Sequence, residues 1–442
     1  MKILLLKSML VHKIVATTFV DDAGTSHNIP ENANIVCGAM DAVAFSHFGM
    51  KSNRIIATYG ERSSSGSNHG GAYYDGNLAY PELLHNETPY DQNIFPADPN
   101  DAERAFLDLI TGDLSPTCSS SNYYCDSIDI EYLNDIGWPD VMIFGGFYSS
   151  LLNDEIKGNA TDRNIPIIVF SNDYSGEGKK GKIGMVEMIE RMEELALALG
   201  VIEPKMVEED KKALCVAAEY FQSTTKKAHD AGVRSMASYM PYMEQPDGVA
   251  GAFITNPDRD PVLILMQNLG LPILYNEHSG DYWENRAGNY TDGNGNFRAT
   301  ATASLSGVPY HVDFWLYDDR VALDFLSTKF SESWPHPALL AKQYAYWPSN
   351  GKILSYRHAA EILTIVGSQL EDAKRVTPAT ECTVPADDSK ARDLAPGEYS
   401  CFKVIPIDFC AQLGSSPVDS SSRSITISPL FLPFVIILAF LN

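Results

Sequence analysis

Residues 207–231 read VEEDKKALCVAAEYFQSTTKKAHDA, and this stretch decides the fold. It opens on Glu208, Glu209 and Asp210, closes on Lys226, Lys227 and His229, and is followed by Gly232. Acid at the start and base at the end complement a helix dipole, and the glycine is a stop signal. The acidic run is therefore read as the dipole's complement and not as a metal cage. Leu214, Ala217, Ala218, Phe221, Thr225 and Ala228 recur at helical spacing as one narrow stripe. At 1.5 Å per residue the rod is about 37 Å long.

On either side of this rod, short β-rich apolar runs alternate with helical patterns, which predicts parallel sheets covered on both faces. Before it, strands are expected at 34–37, 54–59, 140–144 and 166–170. A helix follows, carrying Met185, Met188, Ile189, Met192, Leu195 and Leu199 and stopping at Gly200. After the rod, strands are expected at 234–240, 251–254, 272–275, 312–317 and 352–356, with a closing helix over 359–375. The expected fold class is α/β, two Rossmann-like lobes joined by a single long helix. Its parts are a signal segment at 1–20, an N-terminal lobe at 21–206, the connector at 207–232 and a C-terminal lobe at 233–376. A cysteine-containing tail at 377–414 and an anchor signal at 415–442 complete the chain. Within the first lobe, 60–127 dissolves into Ser, Gly, Asn, Tyr and Pro and reads as an insertion.

The composition bounds the function. With 33 basic against 57 acidic residues in 442, the net charge is −24. Such a field repels phosphates, so nucleic acid and anionic membrane surfaces are poor partners, and a neutral or cationic ligand is easier to accommodate. The last segment, LFLPFVIILAFL at 430–441, is uncharged and shorter than the about 20 residues a spanning helix needs. Small residues at Gly414, Ser415 and Ser416 and a polar stretch precede it, the order of a GPI-attachment signal. A buried terminal helix is the alternative, opposed by two prolines. Residues 1–20 are apolar but interrupted by Lys7, His12 and Lys13, an atypical secretory signal.

Sequons at Asn86, Asn159 and Asn289 agree with export. Cys118 with Cys125, and Cys382 with Cys401, are the candidate disulfide cysteines, with Cys410 close behind. Cys37 and Cys215 sit in apolar segments and read as buried thiols. No CxxC pair occurs and the histidines are scattered, so no metal site is expected. GEGKKGK at 176–182 mimics a P-loop, but Ile183 stands where the magnesium-binding hydroxyl belongs. A solvated basic turn is the better reading, and with no G-x-S-x-G or H-E-x-x-H pattern the chain is not expected to be an enzyme or to carry a cofactor.

Ligands in open α/β sheets bind beyond the carboxyl ends of strands, where small residues admit backbone and aromatics form walls. Those positions nominate Tyr59, Arg62 and Tyr148 in the first lobe, and Tyr239, Tyr242, His278, Trp283, Trp315 and Tyr317 in the second. Phe314 and Trp315 lie on opposite faces of one strand, so one of them can serve the core instead.

Several segments resemble the class III periplasmic solute-binding proteins. They are DDAGTSHNIPENANIVCGAMDAVAFSHFG (21–49), WPDVMIFGG (138–146), NIPIIVF (164–170), MIERMEELALALGV (188–201) and the connector itself. The resemblance covers roughly 19–374 and implies a short hairpin ending in Ile-Pro before the first strand. It also implies a cleft between lobes for a ferric siderophore, haem, cobalamin or metal ion, which is passed to a membrane partner, a transporter or reductase. The insertion, the cysteine-rich tail and the anchor signal depart from the bacterial pattern. They point to a eukaryotic surface version that resembles algal ferric-siderophore-binding proteins, attached to the membrane by lipid. The expected ligand is a ferric hydroxamate, with haem or cobalamin, or a surface or adhesive role that keeps the fold, as alternatives.

Overall fold

The computed structural model describes residues 17–22, 24–59, 106, 109–110, 112–114, 128–145, 151–170, 184–244, 249–254, 260–273, 312–318, 336–347, 353–377 and 409–413. A hairpin opens the chain, β1 (Thr17–Val20) pairing antiparallel with β2 (Ser26–Ile29), and Ile29 is followed by Pro30 as the resemblance implied. The hairpin belongs to the body of the protein. Phe19 is buried beneath the Arg191 guanidinium, which also bonds the Val20 carbonyl and the Asp22 carboxylate. Residues 17–20, within the expected signal segment, are a paired strand with a buried ring.

The N-terminal sheet contains β3 (Ile35–Gly38), β4 (Ile55–Tyr59), β5 (Gly112–Asp113), β6 (Val141–Gly145) and β7 (Ile167–Phe170), in the order β5-β4-β3-β6-β7. All these pairs are parallel. Strands β3, β4, β6 and β7 are largely apolar runs because both faces are covered. On one face lie α1 (Ala39–His47) and α4 (Met185–Ala198); on the other, Leu133 of α2 (Ile130–Ile136) and Ile156 and Ala160 of α3 (Asp154–Asp162) join a second core. Part of the expected insertion is also structural. β5 is the sheet's edge, with Ile110 and Leu114 buried beside it. Gly112 is required there, since a Cβ would lie 2.2 Å from the Ile56 carbonyl oxygen.

The connector is α5 (Pro204–Asp230), 27 residues and about 40 Å long. Its stripe of Leu214, Ala217, Ala218, Phe221, Thr225 and Ala228 is buried as the pattern predicts.

The C-terminal sheet has the order β11-β10-β8-β9, built from β8 (Ser235–Glu244), β9 (Val249–Ile254), β10 (Phe314–Asp318) and β11 (Tyr344–Trp347). β8, β10 and β11 are parallel, but β9 runs antiparallel to β8, so the expected purely parallel sheet is corrected to a mixed one. Only Gln245, Pro246, Asp247 and Gly248 join β8 to β9. Four residues cannot make the crossover a parallel pair demands.

The expected strand at 272–275 is reduced, among the described residues, to a bridge from Ile273 to Ser235. That at 352–356 is no strand: Ser355 caps α8 (Tyr356–Leu370), its hydroxyl accepting from His358 N. Helices α6 (Pro261–Asn268) and α7 (Pro337–Leu340) complete the lobe. α8 packs along α5, and one continuous apolar cluster runs from β3 and α1 through α4 and α5 to α6 and α8.

The tail returns to this body. In α9 (Phe409–Gln412), Cys410 is bonded to Cys215 at the middle of α5, with a Cα–Cα distance of 5.3 Å. Cys215 is therefore not the plain thiol expected, whereas Cys37 is a buried thiol. Its apolar surroundings come from the stripe it shares with Leu214 and Ala218, and Phe409 and Leu413 extend that packing. Cys118, Cys125, Cys382 and Cys401 lie outside the described residues, as do the P-loop lookalike and 430–441. Among the described residues no helix is long and apolar enough to cross a membrane.

Candidate functional site

The N-terminal sheet changes direction of succession at β3, whose neighbours are β4 on one side and β6 on the other. A reversal of this kind opens a binding crevice beyond the carboxyl ends of the two central strands. Here β3 passes into α1 without a loop, Gly38 being at once the last strand residue and the helix N-cap. A Cβ on Gly38 would stand 2.9 Å from Asp41 Oδ2 and 3.7 Å from the Tyr59 ring. The glycine thus makes room for two side chains that fold over it.

Asp41 is a buried acidic residue in the first turn of α1. Tyr59 crosses β3 and donates from its hydroxyl to the Ile143 carbonyl on β6 at 2.6 Å, with its ring stacked 5.1 Å from Phe144. At 0% exposure it belongs to the core under α2 and α3, which corrects its expected place on a cleft wall. A ring whose hydroxyl is satisfied by a neighbouring strand gains more from burial than from exposure.

Trp315 is corrected in the same way. It is the second residue of β10, with 0% exposure, and its indole N–H donates to His336 Nδ1 at 3.1 Å. The same nitrogen accepts from Ala338 N at the start of α7, so His336 acts there as an acceptor. Phe314 is equally buried, so both faces of β10 serve the core.

Tyr317 pairs by register with Ser238 and Tyr346 near the carboxyl end of β10, while Tyr239 and Tyr242 lie farther along β8. The registered pairing of β10 on β8 stops at Ser238, yet β8 continues to Glu244 with β9 beside it. The β8–β9 ribbon therefore reaches six residues, about 20 Å, past that point. Tyr242 stands opposite Gly251, and Pro241 opposite Ala252. Arg62, Tyr148, His278 and Trp283 lie outside the described residues, as do Asn86 and Asn289. Asn159 is on α3, where its amide donates to the Glu155 carbonyl and its Oδ1 accepts from Arg163. Its sequon thus sits on a helix and not on the loop such a motif usually marks.

Two arrangements with catalytic or metal-like composition have structural explanations. Cys215, Glu219 and Cys410 are the one metal-type grouping among the described residues, but the two sulfurs are bonded to each other and supply no thiolate. His47 Nδ1 and Ser355 Oγ lie 2.7 Å apart, yet both residues are buried and the hydroxyl is committed to capping α8. Sequence reasoning did not single out Asp41, His47, Ser355 or Tyr356. The cap Ser355 three residues before His358 was the available signal for the last pair.

Two α/β lobes on one long helix define the class of fold. No family model and no curated protein matches the chain. Among solved structures, it is similar to DesE, a ferric-siderophore receptor protein from Streptomyces coelicolor, at TM-score 0.52 and 19% identity, over 81% of this chain and 99% of that one. It is also aligned with the petrobactin-binding protein YclQ from Bacillus subtilis at TM-score 0.44 and 11% identity, over 81% and 99%. The first of these shows that the two chains share an α/β fold.

Proposed function

We propose that the chain is a solute-binding protein that captures an iron chelate, a ferric hydroxamate first, between its lobes. The observation that carries this reading is the fold match, which spans nearly the whole of a ferric-siderophore receptor and takes in both lobes and the connector. The electrostatics support a neutral ligand, because the chain carries −24. Arg62 and Trp283 are proposed as ligand contacts, with Tyr148, Tyr239, Tyr242, His278 and Tyr317 around them. Arg offers donors to planar chelate oxygens, and Trp offers a rigid apolar face. The protein is placed at the cell surface on a GPI anchor, glycosylated, handing its cargo to a membrane transporter or reductase. The buried Cys215–Cys410 bond supports folding in an oxidising compartment.

A competition titration read by tryptophan fluorescence tests the ligand. A neutral ferric hydroxamate should bind in the micromolar range or below and more tightly than ferric citrate. Arg62→Ala and Trp283→Ala should each weaken it by about 1 to 3 kcal/mol. Preference for ferric citrate at both low and moderate salt, or for haemin, would refute the ligand assignment. Phosphatidylinositol-specific phospholipase should release the protein from intact cells, and retention beside a released control would refute the anchor.

A further inference from the structure

The first turn of α8 touches the rest of the molecule in an unusual way, because three successive residues each bind a different element. Ser355 meets His47, the last residue of α1, through the buried 2.7 Å hydrogen bond. Tyr356 donates its hydroxyl to Glu193 Oε2 on α4 at 2.6 Å, and its ring meets Phe48 edge-on at 6.3 Å. Arg357 forks onto Asp210 of α5, with Nε at 3.3 Å and Nη2 at 3.2 Å from the two carboxylate oxygens. Lys211 closes the group: its Nζ is 2.9 Å from Glu193 Oε2 and 4.9 Å from the centre of the Tyr356 ring. Burial, followed by the hydrogen bond to Glu193 and the charges of Glu193 and Glu190, pushes the Tyr356 phenol far above its ordinary range, so it remains a donor.

α1 and α4 belong to the N-terminal lobe, and α8 belongs to the C-terminal lobe. The covalent link between lobes through α5 is thus doubled by a polar clasp over a shared apolar core. We propose that Ser355, Tyr356 and Arg357 are positioning residues that fix the angle between the lobes, and with it the width of the ligand crevice before any ligand arrives. The mechanism is geometric. A charged fork and a short phenol–carboxylate bond each tolerate little displacement. Rotation of the N-terminal lobe against α8 must break the bonds of Tyr356 and Ser355, while the Arg357 fork holds α8 to the connector against which the lobe would turn. A crevice held at its bound width loses less conformational entropy on binding, so the clasp contributes to affinity without touching the ligand. This inference rests on the two-lobed binding reading for its consequence, but not for its geometry.

The experiment uses the full chain with a ketone-bearing amino acid at exposed positions Lys157 and Leu340, spin-labelled without recourse to the native cysteines. Pulsed dipolar spectroscopy on the unliganded protein should give one narrow inter-lobe distance. In Tyr356→Phe/Arg357→Gln the distribution should broaden about twofold while the near-ultraviolet dichroism is kept, and affinity for the ferric hydroxamate should fall about tenfold. Arg357→Lys, which keeps the charge without the fork, should restore part of both. If the double variant does not fold, Arg357→Gln alone, at a half-exposed site, is read by the same distances. An unchanged distribution in a folded variant, or a broad one in the parent protein, overturns the proposal. The distances are measured without ligand. Failure of the parent protein to bind any ferric hydroxamate therefore sinks the proposed function and leaves the clasp standing.

Discussion

The two lobes begin their sheets with the same device and bury it differently. In the first, Asp140 stands one residue before β6 and accepts from Asn34 N at 2.8 Å, while Asp140 N and Val141 N return to the Asn34 carbonyl at 2.8 and 3.2 Å. In the second, Asp313 stands one residue before β10 and accepts from Arg234 N at 3.1 Å. Asp313 N and Phe314 N return to the Arg234 carbonyl at 2.8 and 3.0 Å. Each aspartate thus ties the entry of one strand to that of its neighbour. Asp140 remains exposed. Asp313 is fully buried, because its second oxygen is taken by Val376 N, Thr377 N and the Thr377 hydroxyl. Gln343 adds a second tie, donating to the Asp313 and Lys374 carbonyls and accepting from Lys374 N. One motif is a local staple in the first lobe and, in the second, also holds the chain at Val376 and Thr377.

The largest expected effect follows from that contrast. Asp313→Ala leaves three backbone N–H groups without an acceptor in a dry place and should cost about 3 to 5 kcal/mol, read by denaturant unfolding. Asp313→Asn separates the two halves of the device. Placed with its carbonyl as Oδ1 it keeps the three bonds to Val376 and Thr377 and loses only Arg234 N, so about 1 to 2 kcal/mol is expected. Equal losses for the two variants would show that the tail contacts contribute little.

The other end of the tail is held by the disulfide. Removing it in Cys215→Ser/Cys410→Ser releases a loop of 195 residues and should cost about 2 to 4 kcal/mol. Limited proteolysis should then cut the chain after residue 377 before either lobe is attacked. Simultaneous loss of both lobes would place the tail inside the cooperative unit. Asp140→Ala, by contrast, exposes only groups that water can reach, and about 1 kcal/mol is expected from the same unfolding measurement. A loss as large as that of Asp313→Ala would break the comparison.

The legible parts of the sequence were those in which local chemistry agreed with the global fold. The charges that open and close the connector, Gly232 behind it and the apolar runs of β3, β4, β6 and β7 each follow from periodicity and end signals. Gln245-Pro246-Asp247-Gly248 was a turn signal in plain view, and reading it would have given the antiparallel β9. The 352–356 segment was misread because an apolar pair, Ile353 and Leu354, precedes the Ser355 cap and resembles a buried strand. The aromatic run Tyr344–Trp347 that does form β11 was passed over. Tyr59 and Trp315 show the limit at the site. A residue's place along a strand is readable, but whether its hydroxyl or indole meets a partner across the sheet depends on elements distant in sequence. The Cys215–Cys410 bond was illegible for the same reason.

The smallest expected effect lies beside the clasp and concerns charge alone. Glu190 on α4 has its carboxyl raised above the usual range, first by desolvation, then by the net of an opposing attraction to Lys211 and repulsion from Glu193, Glu187 and Glu194. A carboxyl whose folded pKa exceeds its unfolded value holds its proton more tightly when folded. It favours folding while protonated, and that advantage is lost as the pH rises through the folded pKa. Lys211 is meanwhile shared with Glu193, the acceptor of Tyr356. Replacing Glu190 by Gln removes a competitor for that ammonium and one member of a like-charged row, so Glu190→Gln should be slightly more stable than the parent at pH 7. The side chain is largely exposed, and solvent screening keeps the gain small and lowers it further in high salt. As the pH falls below the unfolded carboxyl value, both states of the parent become protonated and the difference should vanish. Thermal unfolding of the two proteins across that range, at low and high salt, checks the sign. A gain that persists at low pH would assign it to packing, and a loss at neutral pH would mean that the attraction to Lys211 outweighs burial and the carboxylate row together.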